Sequence, residues 1–106
     1  MKPLWTAGAA LALSLAWTAP ALAYSECSGT VGRLYVDNAG YIWVNVALAG
    51  GGEGSVEIVA TNPNKLTYYS ALLTAKASAK QVTFRFTKDT STCTAVNSDL
   101  MALWLD

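Results

Sequence analysis

Two runs of alternating residues separated by three turn residues constrain this chain more than anything else in it. The first is Thr30-Val31-Gly32-Arg33-Leu34-Tyr35-Val36-Asp37 and the second Tyr41-Ile42-Trp43-Val44-Asn45-Val46-Ala47-Leu48. Both are rich in β-branched and aromatic residues and repeat with period two, the signature of strands with one buried face. Asn38-Ala39-Gly40 between them is the length of a three-residue hairpin loop, with Gly40 at the position that takes a left-handed conformation. That turn length places Val36 opposite Ile42, Tyr35 opposite Trp43, Leu34 opposite Val44, Arg33 opposite Asn45 and Asp37 opposite Tyr41. One face of the hairpin is then aliphatic, the other aromatic and polar. A one-residue slip would exchange the two faces, so turn and pattern specify the same register.

The rest of the chain is punctuated as clearly. Ala49-Gly50-Gly51-Gly52-Glu53-Gly54 reads as a flexible loop without the Lys-Ser/Thr ending of a phosphate cradle. A third strand follows at Ser55–Ala60, then a turn at Thr61-Asn62-Pro63-Asn64. A helix is predicted from Lys65 or Thr67 to Ser78, with Tyr69, Leu72, Leu73 and Lys76 or Ala77 on one face. One of Tyr68 and Tyr69 is expected to pack inward and the other to point out. Gln81–Thr87 alternates as a fourth strand, with Val82, Phe84 and Phe86 inward and Thr83 and Arg85 outward. The last strand, Asp99–Leu105, is apolar on both faces. The order β-β-β-α-β-β predicts a mainly β fold with one helix, an OB-fold-like five-stranded barrel.

The amino terminus belongs to a different class of signal. Met1-Lys2-Pro3 precedes an apolar run from Leu4 to Trp17, and Thr18-Ala19-Pro20-Ala21-Leu22-Ala23 supplies a helix breaker and an Ala-x-Ala site. This is the pattern of a secretory signal peptide at 1–23, cleaved after Ala23. The run is too short for the ~20 residues of a membrane span. A single OB-like domain, 24–106, remains, and its destination is the periplasm or the exterior. In that oxidising setting the only two cysteines, Cys27 and Cys93, are expected to form a disulfide.

Composition narrows the function. The chain has no His and only two Cys among 106 residues, which excludes the common zinc sites and any His-based triad. Seven Lys+Arg balance seven Asp+Glu, so there is no basic surface for nucleic acid. No cofactor is implied. Glu53 and Glu57 are split by Gly54, and Asp89 and Asp99 flank a loop, so no nucleophile–base or paired-carboxylate arrangement is visible and no enzyme is expected. The candidate ligand-binding residues are Arg33, Tyr35, Tyr41, Trp43 and Asn45, on the outer face of the hairpin. Aromatic rings there can stack on the C–H faces of sugars, or serve as anchors for a protein partner. Arg85, a lone charge on a strand, is expected to be solvated.

The leader followed by Cys27-Ser28-Gly29-Thr30-Val31, then Leu34-Tyr35-Val36 and Gly40-Tyr41-Ile42-Trp43-Val44, form a pattern with a known likeness. So do Ala71-Leu72-Leu73-Thr74-Ala75-Lys76-Ala77, Val82-Thr83-Phe84-Arg85-Phe86, Cys93 and the closing apolar strand. Together they resemble the small exported OB-fold proteins similar to the binding (B) subunits of AB-type bacterial toxins, the subtilase-cytotoxin and typhoid-toxin group. The resemblance implies a ring-forming, pentameric homo-oligomer that binds glycans. The alternative is a monomeric periplasmic or secreted structural protein, engaging a protein partner and no small ligand.

Overall fold

A computed structural model describes residues 23–106; the expected signal peptide at 1–23 lies, but for Ala23, outside the described residues. Six strands and one helix follow in the order β1 (Ser25–Val36), β2 (Ile42–Leu48), β3 (Glu53–Ile58), α1 (Lys65–Ser78), β4 (Gln81–Phe86), β5 (Val96–Asn97) and β6 (Leu100–Leu105). They form one sheet ordered β5-β3-β2-β1-β4-β6. Its two edge strands are consecutive in the chain, two residues apart, so the sheet curls until the chain itself joins its edges. The result is the mainly β, OB-like half-barrel that the order of elements predicts. It has six strands where five are expected. The final apolar strand is preceded by a two-residue piece that pairs parallel with β3, at Ser55↔Val96 and Val56↔Asn97.

The hairpin register is the predicted one at three of its pairs: Leu34↔Val44, Tyr35↔Trp43 and Val36↔Ile42. Gly40 has φ 87° and donates its N–H to the Asp37 carbonyl, closing the turn as its length requires. Arg33 does not pair one-to-one with Asn45. The register shifts between Val31 and Leu34, so Gly32 and Arg33 together oppose Asn45 as a β-bulge. A Cβ on Gly32 would sit 3.3 Å from the Asn45 carbonyl oxygen, a close approach that suits glycine. The bulge changes the phase of the strand: Cys27, Gly29 and Val31 face inward before it, Leu34 after it.

β1 is also longer than its local pattern suggests. Its first half pairs antiparallel with β4, from Ser25↔Phe86 to Thr30↔Gln81, and its second half with β2. β4 in turn pairs on its far side with β6, from Phe86↔Leu100 to Val82↔Leu105. β4 therefore lies between the first and last strands, with the start of β1 at its Phe86 end and the end of β6 at its Val82 end.

The core is built from the inward sets of these strands. Ile42, Val44, Val46, Val56, Ile58, Val82, Phe84 and Phe86 are buried, together with Leu72 and Ala75 of α1. The inward face of the helix keeps Tyr69 and Leu72 of the predicted stripe but takes in Tyr68 and Ala75 in place of Leu73 and Lys76 or Ala77. Leu72 and Ala75 are buried, Tyr68 and Tyr69 both pack against the core, and Leu73 is 45% exposed. Two lysines fix the helix to the hairpin. Lys65 Nζ donates to the Gly40 carbonyl at 3.2 Å, and Lys76 Nζ donates to the Gly32 carbonyl at the bulge. Ala79 ends the helix in the left-handed region, φ 54°, where the missing Cβ of glycine is usually preferred. Thr83 is buried between its cross-strand neighbours Ser28 and Trp104, and its hydroxyl bonds Ser28 at 2.8 Å and Asp106 at 3.0 Å.

Cys27 and Cys93 are joined in a disulfide, tying the start of β1 to the loop before β5. Such a bond fits an exported chain matured in an oxidising environment. Among the described residues no helix is long and apolar enough to cross a membrane.

Candidate functional site

The alternation of β2 and β3 leaves their odd-numbered residues on the outer face. There the structure gathers the predicted site residues into rows across β1, β2 and β3. Tyr35, Trp43 and Glu57 form one row, through the pairs Tyr35↔Trp43 and Trp43↔Glu57. Arg33, Asn45 and Ser55 form the next, with Asn45↔Ser55 paired and Arg33 carried beside Asn45 by the bulge. Tyr41 lies one step beyond Trp43, toward the turn.

The rings of Tyr35 and Trp43 are stacked, with centroids 6.2 Å apart and planes inclined by 11°. That is the offset separation aromatic pairs favour. Tyr35 is 46% exposed and Trp43 is half-buried, so the pair is a surface feature and not core. Asp37 holds it in place. Its Oδ2 accepts the indole N–H of Trp43 at 3.1 Å, and its Oδ1 accepts the backbone N–H groups of Ala39 and Tyr41. The Trp43 hydrogen bond, with those from the Tyr41, Ala39 and Gly40 amides, holds the Asp37 carboxyl below the usual carboxylate range. One acidic side chain thus fixes both the turn and the orientation of the indole. On the neighbouring row the Ser55 hydroxyl donates to Asn45 Oδ1 at 3.3 Å. Arg33 is exposed.

Two features outside this face were not legible in the local pattern. The first is centred on Arg85. Glu26 stands opposite it in the β1–β4 ladder and pairs with it at 2.7 Å. The guanidinium carbon lies 4.1 Å from the ring centre of Tyr24 and 5.2 Å from that of Trp104, within the range of cation–π attraction. Arg85 is therefore engaged on three sides, with its side chain still 31% exposed. Only the long-range β1–β4 and β4–β6 pairings bring these residues together, and no local periodicity encodes them.

The second is a groove of about 510 Å³ beside the disulfide, at the opposite end of β1 from Tyr35. Its walls include Glu26, Ser28, Gly50, Gly51, Thr92 and Thr94, with Cys27 and Cys93 between them. None of Arg33, Tyr35, Tyr41, Trp43 and Asn45 lines it. Among the described residues no group of three or more His, Cys, Asp or Glu side chains is placed to hold a metal ion.

The chain matches no protein-family model, no curated protein and no solved structure.

Proposed function

We propose that this protein is an exported, non-catalytic binding module, released from its leader after Ala23, which recognises glycans through the outer face of β1, β2 and β3. The observation that carries the reading is the stacked, half-exposed Tyr35–Trp43 pair, pinned by Asp37 and flanked by Arg33, Tyr41 and Asn45. A ring held at a fixed angle loses little freedom on binding, and so presents its face to the apolar C–H side of a pyranose at low entropic cost. Arg33 and the Tyr35 and Tyr41 hydroxyls supply hydrogen bonds at the rim. Assembly into a ring follows from the resemblance to toxin B subunits and is part of the same proposal.

Screening the purified protein on a glycan array, then titrating hits while following tryptophan fluorescence, tests this reading. A saturable quench that disappears in a folded Trp43→Ala variant supports it. An array without hits, or a quench that survives Trp43→Ala, overturns it. Light scattering after size exclusion tests the ring separately, and a strict monomer at high concentration removes it.

A second reading is favoured by one observation. The Trp43 N–H and Asn45 Oδ1 are already engaged by Asp37 and Ser55, so the centre of the face has few polar groups left to read hydroxyls. A flat aromatic patch of that kind suits a protein partner, with Tyr35 and Trp43 as its anchors. In this reading the protein is a monomeric structural or interaction protein without a small ligand, and glycans leave the fluorescence unchanged.

A further inference from the structure

The groove beside the disulfide lies where β1 outruns β2. The β1–β2 ladder begins at Gly29, opposite Leu48, and the last contact toward the amino end is the Ala49 N–H donating to the Ser28 carbonyl at 2.9 Å. The chain then leaves through the glycine loop. In an antiparallel strand the N–H and C=O of one residue leave on the same side, and the side alternates along the strand. Ser28 faces the β2 side, so Glu26 faces it too. Among the described residues no backbone group meets the N–H or C=O of Glu26 there. Sγ of Cys93 lies 3.7 Å from its carbonyl oxygen, but a disulfide sulfur has no proton to give. The groove is therefore edged by a length of strand whose hydrogen-bonding groups point into it unpaired.

We propose that this groove is a second binding site, independent of the aromatic face, which takes a short extended peptide as an added β-strand along Ser25–Ser28. Among the described residues, the N–H and C=O of Glu26 and the N–H of Ser28 meet no backbone partner on this side, the spacing that another extended backbone matches. The walls select the side chains. Ala49, Gly50 and Gly51 on one side and Thr92 and Thr94 on the other present small, uncharged groups, so the segment carries uncharged residues. The one carboxylate at the site, on Glu26, is already paired with Arg85, so a charged peptide gains nothing there. No aromatic ring lines the groove on which a sugar could stack.

Gly50 makes the site testable without damage to the fold. Nothing lies within 4 Å of the position its Cβ would take, and its φ is not positive. Gly50→Trp therefore fills the groove from the loop, and Thr94→Trp does so from the opposite, exposed side. The probe is a phage-displayed random heptapeptide library selected on the folded protein. Selected peptides are resynthesised and titrated into isotope-labelled protein by NMR. The expected result is selection of uncharged sequences that slow exchange of the Glu26 and Ser28 amides by about tenfold or more. Each tryptophan variant should weaken binding by about tenfold or more, with melting temperature unchanged, and so should N-methylation of alternate peptide bonds. Trp43→Ala should leave binding intact, which separates this site from the aromatic face. Selection of no peptide, peptides that leave both amides unprotected, or protection of those amides by a glycan from the array would overturn the proposal.

Discussion

Replacing both cysteines, as Cys27→Ala/Cys93→Ala, should remove most of the stability of this protein. The bond joins residues 66 apart in sequence. Chain-entropy theory assigns such a loop an entropy near 15 cal/mol/K, or about 4.3 kcal/mol near room temperature. Cys27 is itself buried in the core, so the lost sulfur adds a packing cost of the same sign. Small domains have only about 5–15 kcal/mol in total, which places the variant close to its unfolding threshold. Urea denaturation followed by far-UV circular dichroism measures the effect. With a slope of about 1 kcal/mol per molar urea for so small a chain, the midpoint should fall by roughly 4 M. A loss below about 1 kcal/mol would refute the reasoning, because the unlinked chain would then already hold its two ends together. Persistence of the β1–β4 ladder while only residues 88–97 loosen would refute it differently, by showing the bond to be a local clip.

Three further outcomes follow from particular residues. Phe84→Ala, at a fully buried position on the central inward row of β4, should cost about 3–5 kcal/mol in thermal or urea melts. Ala79→Gly should stabilise the protein by up to about 1 kcal/mol in the same melts, because it relieves the left-handed backbone at the helix end and keeps the capping bonds of its N–H. The Trp43 indole and the turn amides hold the Asp37 carboxyl below the usual carboxylate range, so its ionised form contributes stability at pH above the ordinary aspartate range and loses it as pH falls through the lowered pKa. The advantage of the natural protein over Asp37→Asn should therefore narrow as pH drops from about 5 toward 2; a constant gap would mean that the charge on Asp37 is irrelevant to the hairpin.

The hairpin was legible because turn length and alternation are both local. Asn38-Ala39-Gly40 and the residues on either side contain the register, and Val82, Phe84 and Phe86 likewise declare their own facing. What escaped depends on partners far along the chain. Ser25-Glu26-Cys27-Ser28 has few strand formers and becomes β1 only because β4 lies alongside it. The bulge at Gly32 hides in an alternating run, since a strict period of two would put Val31 with Arg33 and Tyr35 on the outside. Thr83 looks outward by parity, yet it is buried there because Ser28, Trp104 and Asp106, distant in sequence, cover it. On α1 the apolar residues are too evenly spread to choose a side: Leu66 and Leu73 are as apolar as Leu72, yet 73% and 45% exposed. The placement of the sheet and the reach of Lys65 and Lys76 to backbone carbonyls decide the angle. The candidate aromatic face was visible as a pattern, whereas the role of Asp37 in pinning Trp43 required the folded turn. The groove is formed from loop backbone and a strand edge, which no side-chain pattern records.

The position of β4 between β1 and β6 has a mechanical consequence. β1 enters at the Phe86 end of β4 and β6 leaves at the Val82 end. Tension applied between the two termini therefore pulls the outer two strands in opposite senses along the axis of the middle one. Every cross-strand hydrogen bond in both ladders then shares the load at once, instead of opening one after another like a zip. Stretched end to end, this small molecule should resist until both ladders slip together, and give way abruptly.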